Sequence, residues 1–73
     1  MIRCYLSRMM GDRKMKISDV ARETGLNRST ISALYREDMV RVDIDALEKL
    51  CALFGCKIGD LLEYMPDQSS SEQ

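Results

Sequence analysis

The fold is decided by residues 17–36, which read ISDVARETGLNRSTISALYR. Two short runs with apolar residues at helical spacing lie on either side of Gly25. The first run predicts a helix over residues 17–24, which Gly25 ends by adopting a left-handed backbone. The second run predicts a helix over about residues 28–37, with Asn27 as its N-cap.

The two predicted helices share one spacing pattern, which is Val20-Ala21-x3-Gly25-Leu26-x4-Ile31-x2-Leu34. Ala21 is small where two helices cross closely, and Gly25 permits the positive φ of a tight turn. Leu26 fills the wedge inside the turn, while Ile31 and Leu34 hold the second helix against the core. This is the layout of a helix-turn-helix, whose second helix enters the DNA major groove. A generic helical hairpin is the alternative, disfavoured because the outward face of the second helix is polar and basic.

The second helix of the motif has two unlike faces on a helical wheel. Ile31, Leu34 and Tyr35 share one arc and are predicted to face the core. The opposite arc carries Arg28, Ser29, Ser32, Ala33 and Arg36, with Thr30 at its edge.

The rest of the chain is predicted to be helical as well. A first helix is expected over residues 2–12, a fourth over 44–54 and a fifth over 58–64, with a loop at 37–42 and no strand. The apolar side of the fourth helix is predicted to be Ile44, Leu47, Leu50, Cys51 and Phe54. The fold class is therefore all-α with five short helices. Residues 1–65 form one domain, and residues 66–73 a disordered polar tail that follows the helix-ending Pro66.

Charge is divided unevenly along the 73 residues of this 8.4 kDa chain. The net charge is −1, but residues 1–36 carry eight basic against three acidic side chains, and residues 37–73 carry three against nine. Such an asymmetry points towards a nucleic-acid partner. So small a core also needs further support, for which dimerisation is one source.

Several function classes are disfavoured by composition. The chain contains no His, which excludes His-based general bases, Ser-His-Asp and Cys-His triads and His-containing zinc sites. Cys4, Cys51 and Cys56 are predicted to pack as small hydrophobic residues, with metal binding or redox sensing as the alternative. No apolar run is long enough to span a membrane, and the start is no signal peptide. A cytoplasmic protein that is not an enzyme is expected.

The helix-turn-helix pattern of residues 20–34 resembles the lambda-repressor/Cro-like (XRE-type) helix-turn-helix family. The resemblance extends over roughly residues 3–64. Residues 43–62, DIDALEKLCALFGCKIGDLL, are similar to the fourth and fifth helices of that family, including the Gly between them. The resemblance implies a DNA-binding transcriptional regulator, commonly dimeric. Three positions depart from the family pattern: Ile17 replaces Gln, Glu37 replaces Gly and Met10 replaces Arg.

Carried over residue by residue, the resemblance implies DNA contacts along the second helix of the motif. Arg28 is expected to read a base edge, since Arg can contact guanine with two hydrogen bonds. Lys14, Lys16 and Arg36 are expected at phosphates, which position the protein without specifying sequence. The remaining predicted contacts are Asn27, Ser29, Thr30, Ser32 and Ala33.

The sequence therefore predicts a transcriptional regulator, acting as a repressor, that binds a double-stranded DNA operator as a homodimer. Ile2, Tyr5, Tyr64 and Met65 are the expected dimer residues, on the fifth helix and the N-terminal segment. No cofactor, small-molecule ligand or membrane partner is expected. The alternative is a protein-interaction module or antitoxin-type partner that keeps the fold with little or no DNA binding.

Overall fold

A computed structural model of the protein describes residues 1–66. The predicted tail therefore lies outside the described residues, apart from Pro66. Five helices are present: α1 (Leu6–Asp12), α2 (Ile17–Thr24), α3 (Arg28–Arg36), α4 (Ile44–Phe54) and α5 (Ile58–Leu61). Two short strands, β1 (Ile2–Cys4) and β2 (Leu62–Tyr64), pair as an antiparallel sheet. The five-helix, helix-turn-helix fold is confirmed, whereas the expected absence of strands is wrong.

The sheet joins the two ends of the described chain. Ile2 lies opposite Tyr64, and Cys4 lies opposite Leu62. Beyond the strands, the Met65 amide donates to the Met1 carbonyl at 2.8 Å. The first helix consequently begins at Leu6 rather than residue 2, and the fifth ends at Leu61 rather than residue 64. Helices this short are marginal alone, so pairing between distant segments prevails over local helical spacing. Pro66 does not end α5.

The core is one cluster to which every helix contributes. Its fully buried members are Leu6, Met10, Val20, Ile31, Leu50 and Leu61, with Cys4, Leu34, Leu47 and Phe54 almost as enclosed. Two predicted core residues are wrong, since Ile44 is 77% exposed and Tyr35 is 44% exposed. The buried face of α4 includes Leu50, and Ile44, six residues earlier, lies about 120° around the helix from it.

The end of α3 is tied to β1 by Glu37. This residue adopts the left-handed conformation, with φ of +60°. The family pattern often has Gly at this position. Its Oε1 accepts a hydrogen bond from the Cys4 amide at 3.1 Å and another from Arg3 Nε at 3.0 Å. These bonds, the first above all, hold the pKa of the Glu37 carboxyl below its usual range. Glu37 thus offsets its backbone strain by joining the motif to the sheet.

The C-terminus of α4 is satisfied by an arginine from elsewhere in the chain. The Arg13 guanidinium donates to the carbonyls of Leu53 and Phe54, both at 3.0 Å. It also lies 5.1 Å from the centroid of the Phe54 ring. A cation at a helix C-terminus is favourable because the last carbonyls carry partial negative charge. Arg13 therefore holds the α1–α2 connection against α4.

We expect Glu37→Gln to lower the free energy of unfolding at neutral pH. A neutral amide would replace the carboxylate whose negative charge is stabilised by hydrogen bonds from Arg3 and from the Cys4 amide. The folded pKa of Glu37 is lowered, so its contribution is complete above the unfolded pKa of about 4.3 and is lost as pH falls through the folded pKa. The difference between wild type and variant should therefore narrow between about pH 5 and pH 3. Urea denaturation across this range measures it.

Glu48→Gln is the matched control, since Glu48 is an exposed α4 residue with no ion pair among residues 1–66. If both substitutions changed the free energy of unfolding equally and independently of pH, Glu37 would not stabilise the fold through its carboxylate.

Candidate nucleic-acid interface

The turn between α2 and α3 is built by the last residues of α2. Thr24 Oγ1 donates to the Val20 carbonyl at 2.7 Å and accepts from the Leu26 amide at 3.2 Å. Gly25 has φ of +78°, and its amide donates to the Ala21 carbonyl at 2.8 Å. These hydrogen bonds and the Gly25 conformation fix the direction of the backbone after α2, and this direction determines where α3 starts.

Apolar packing then holds α3 across α2. Val20 and Ile31 are completely buried, and Leu34 is nearly so. Leu26 and Ala21 are partly buried and pack against the same cluster. The apolar members of the predicted pattern all lie on the inner side, which leaves the opposite side of α3 to solvent.

The predicted DNA-contact residues on α3 occupy that outer side to different degrees. Arg28, Ser29 and Arg36 are exposed, as is Asn27 just before the helix. Thr30, Ser32 and Ala33 are half-buried. The structure therefore brings these residues together on one rigid element.

Asn27 occupies the N-cap position, but its side chain makes no capping hydrogen bond, so that part of the prediction is wrong. Its carbonyl accepts from the Ile31 amide at 3.2 Å, and this backbone bond begins the helix without help from the side chain. Within residues 1–66, the amides of Arg28, Ser29 and Thr30 have no backbone partner. An exposed helix N-terminus of this kind has a partial positive charge.

Lys16 is one of two predicted contacts outside α3 and its cap, and the other is Lys14. Lys16 is exposed and occupies the N-cap position of α2, where its amide donates to Asp19 Oδ2 at 2.9 Å. This bond is the main reason that the pKa of Asp19 is lowered, and the Arg22 guanidinium at 3.2 Å adds to it. The only acid in α2's first turn is thus already paired, and the Lys16 ammonium is not its partner.

Basic side chains in the first half of the chain divide into two groups. Those with partners are Arg3 with Glu37, Arg22 with Asp19, Arg13 at the end of α4, and Arg8 with its guanidinium carbon 5.9 Å from the centroid of the Tyr5 ring. Those without a hydrogen-bond or ion-pair partner in residues 1–66 are Lys14, Lys16, Arg28 and Arg36. The second group lies on the α1–α2 turn, the start of α2 and α3, so the unpaired positive charge of residues 1–36 belongs to the motif and to the turn before it. The sequence had shown the charge split but not which cations the fold uses internally.

The departures from the family pattern have structural roles. Met10 is buried at 2% exposure, and Ile17 packs at the edge of the core. Neither side chain has a charge or hydrogen-bonding group to offer a phosphate. Any phosphate contact must therefore come from neighbours such as Lys14 and Lys16.

The three thiols are free, with Cys4 buried and Cys51 and Cys56 half-buried. Burial raises the pKa of Cys4 and of Cys56. Among residues 1–66, no three potential metal ligands come together. None of the helices within that range has the length and apolar character needed to cross a membrane.

Comparisons with known proteins agree with this geometry. The model of the Cro/C1-type HTH DNA-binding domain matches residues 5–67, which is most of the chain. Over 62 residues the chain is 27% identical to a Bacillus subtilis (strain 168) protein described as the uncharacterized HTH-type transcriptional regulator YozG. The alignment covers 85% of this chain and 74% of that relative.

We expect Gly25→Ala to destabilise the fold by about 1–2 kcal/mol, because a Cβ disfavours the left-handed backbone that the turn requires. A Cβ built there meets no atom within 4 Å, so the penalty arises from backbone conformation alone. Gly11→Ala is the control, since Gly11 lies in α1 and has equally open surroundings. That substitution should stabilise by up to about 1 kcal/mol through helix propensity. Thermal unfolding compares them, and similar effects from both would contradict this account of the turn.

Proposed function

Since the chain belongs to the Cro/C1-type helix-turn-helix DNA-binding family, we propose that it is a sequence-specific transcriptional repressor that reads the major groove with α3. The observation that carries this proposal is the outer side of α3. It joins exposed Arg28 and Arg36, which lack partners in residues 1–66, to a helix that the core holds in one position. The protein then acts by occupying an operator.

Arg28 is the proposed base-reading residue. It is the first residue of α3, the end that enters deepest when such a helix lies in the groove. Its guanidinium can make two hydrogen bonds to the N7 and O6 acceptors of guanine, worth about 1–3 kcal/mol of discrimination. Ser29 and Thr30 follow in the same turn, and Ala33 offers its methyl group to a thymine methyl. Asn27 and Ser32 complete the surface, with amide and hydroxyl groups as donors or acceptors.

Phosphates on either side of the groove are the proposed partners of the other cations. Lys14 and Lys16 belong to the approach to α2, and Arg36 lies at the far end of α3. The free amides at the N-terminus of α3 favour an anion as well. These contacts give affinity and register, while sequence preference comes from the base contacts.

The proposed partners are an operator duplex and a second copy of the chain, since a dimer presents two α3 helices to paired half-sites about 34 Å apart. The mechanism takes place in the cytoplasm and uses no catalysis, cofactor, small-molecule ligand or membrane. The competing function is an interaction module or antitoxin-type partner. It is favoured by Ile17, which packs at the core where many family members have a polar residue.

Selection of duplexes from a random pool tests the function directly. The proposal predicts enrichment of a palindrome, which gives the operator and its symmetry together. Absence of enrichment at low salt would reject DNA recognition and favour the interaction module.

We expect Arg28→Ala to abolish the preference at one base pair of each half-site while leaving the fold intact, because the side chain is exposed. Discrimination there should fall by about 1–3 kcal/mol. Repeating the selection with this variant measures the change. Lys49→Ala is the control, since Lys49 pairs with Asp45 on α4 and lies outside the motif. An unchanged preference after Arg28→Ala would show that another residue reads that base.

We expect Lys16→Ala to weaken binding about equally for all sequences and to reduce the slope of log affinity against log salt by about 1, as the loss of one phosphate contact requires. Fluorescence anisotropy on the selected duplex over a range of salt concentrations measures this slope. The same Lys49→Ala variant should leave it unchanged. A changed base preference with an unchanged slope would contradict the phosphate assignment.

A further inference from the structure

The end of α4 brings two cysteines together. Gly55 ends the helix in the left-handed conformation, with φ of +61°. Its amide donates to the Cys51 carbonyl, and the Cys56 amide donates to the same carbonyl at 3.1 Å. In a helix ending of this Schellman type, the side chains at the positions of Cys51 and Cys56 commonly contact each other. Both cysteines are half-buried and pack against the core cluster.

The backbone hydrogen bond limits the distance between the two residues. Standard backbone dimensions add at most about 4 Å to the 3.1 Å between the Cys56 nitrogen and the Cys51 oxygen, so the two Cα atoms are less than about 7 Å apart. A disulfide can bridge cysteines at such a separation. The pKa of Cys56 is raised by burial first and next by the Cys51 thiol beside it. The two side chains therefore form one dithiol.

The third thiol has different surroundings. Cys4 lies on β1 within the core cluster and is only 7% exposed. Cys51, in contrast, lines a shallow surface depression together with Ile44 and Ile58. A small solute can therefore reach Cys51 from solvent, whereas the fold encloses Cys4.

Simple apolar packing is the competing explanation of the pair. The end of α1 has the same backbone arrangement, in which the Met15 amide donates to the Met10 carbonyl at 2.9 Å. Both methionines pack in or against the core cluster, so an ending of this kind needs only apolar side chains at the two positions. Two thiols differ from two methionines in their chemistry, since neighbouring thiols can be oxidised together to a disulfide.

We propose that Cys51 and Cys56 are a redox-active dithiol, assembled by the end of α4, that closes to a disulfide by exchange with low-molecular-weight disulfides. The Cys51 thiolate attacks one sulfur of the small disulfide, which forms a mixed disulfide and releases the first small thiolate. The Cys56 thiolate then attacks the Cys51 sulfur, which forms the Cys51–Cys56 bond and releases the second. The two cysteines lose two electrons and two protons, and the small disulfide is reduced to two thiols.

The inference does not depend on DNA binding, because the end of α4 belongs neither to α3 nor to the approach to α2. In a reducing compartment the pair remains as thiols and closes when small disulfides accumulate, as redox-sensing cysteines do. A failure of either proposal therefore leaves the other standing.

Mass spectrometry of the full chain after incubation with oxidised glutathione tests the inference. The wild type should lose two hydrogen atoms and retain no glutathione, and iodoacetamide should then alkylate only Cys4 in the denatured chain. Cys56→Ala should instead retain one glutathione on Cys51, because the second thiol is missing. Cys4→Ala is the matched control and should lose two hydrogen atoms as the wild type does. A wild type that keeps all its thiols alkylatable, or that retains glutathione on Cys51, would overturn the inference.

Comparison with the unfolded chain tests the role of the fold, since nearness in sequence alone also favours closure. The equilibrium constant for exchange with glutathione should be about tenfold or more larger in the native protein than in urea, because the end of α4 holds the two thiols together. Equal constants in the two states would show that the helix ending does not assemble the pair, and would overturn the proposal.

Discussion

The left-handed turn at Gly25 is the constraint on which the rest of the structure depends. It ends α2 after eight residues and, with the two Thr24 hydrogen bonds, sends the chain back across that helix. Ile31 and Leu34 can then reach the same cluster as Val20. Because the inner side of α3 is fully used in this packing, Arg28, Ser29 and Arg36 remain on the outside. The packing of Ile31 and Leu34 in the core thus determines which side chains of α3 are exposed and can contact DNA.

Contacts between distant segments complete so small a domain. Arg13 satisfies the end of α4, and Glu37 joins the end of α3 to the strand at the start of the chain. Both residues are charged, yet both act within the fold. The net charge of −1 is compatible with DNA binding, because nine of the twelve acids lie in residues 37–73 and Asp19, in the first half, is paired within the fold. Among residues 1–66, the cations left without such contacts include Lys14, Lys16, Arg28 and Arg36, which lie on the motif and on the turn before it.

The helix-turn-helix could be predicted because its signals are local. Small, apolar and turn-forming residues recur within fifteen positions, and the polar arc of α3 follows from the same wheel. The strands could not be predicted, since Ile2 and Tyr64 are 62 positions apart and each strand has only three residues. The same limit applies to Ile44 and Tyr35, whose exposure depends on how far neighbouring helices extend. The sequence also did not show that the Asn27 side chain makes no capping hydrogen bond. A residue type indicates a preference for the N-cap position, whereas the hydrogen bond depends on the side-chain conformation.

The central claim is that the outer side of α3, with the approach to α2, is the surface that meets DNA. Titration of the isotopically labelled protein with a short duplex, followed by amide chemical shifts, tests it most directly. If this surface meets DNA, the largest shift changes fall on residues 27–36 and 14–16, with smaller ones on α4 and α5. Changes confined to residues 44–64, or no changes at low salt, would contradict it.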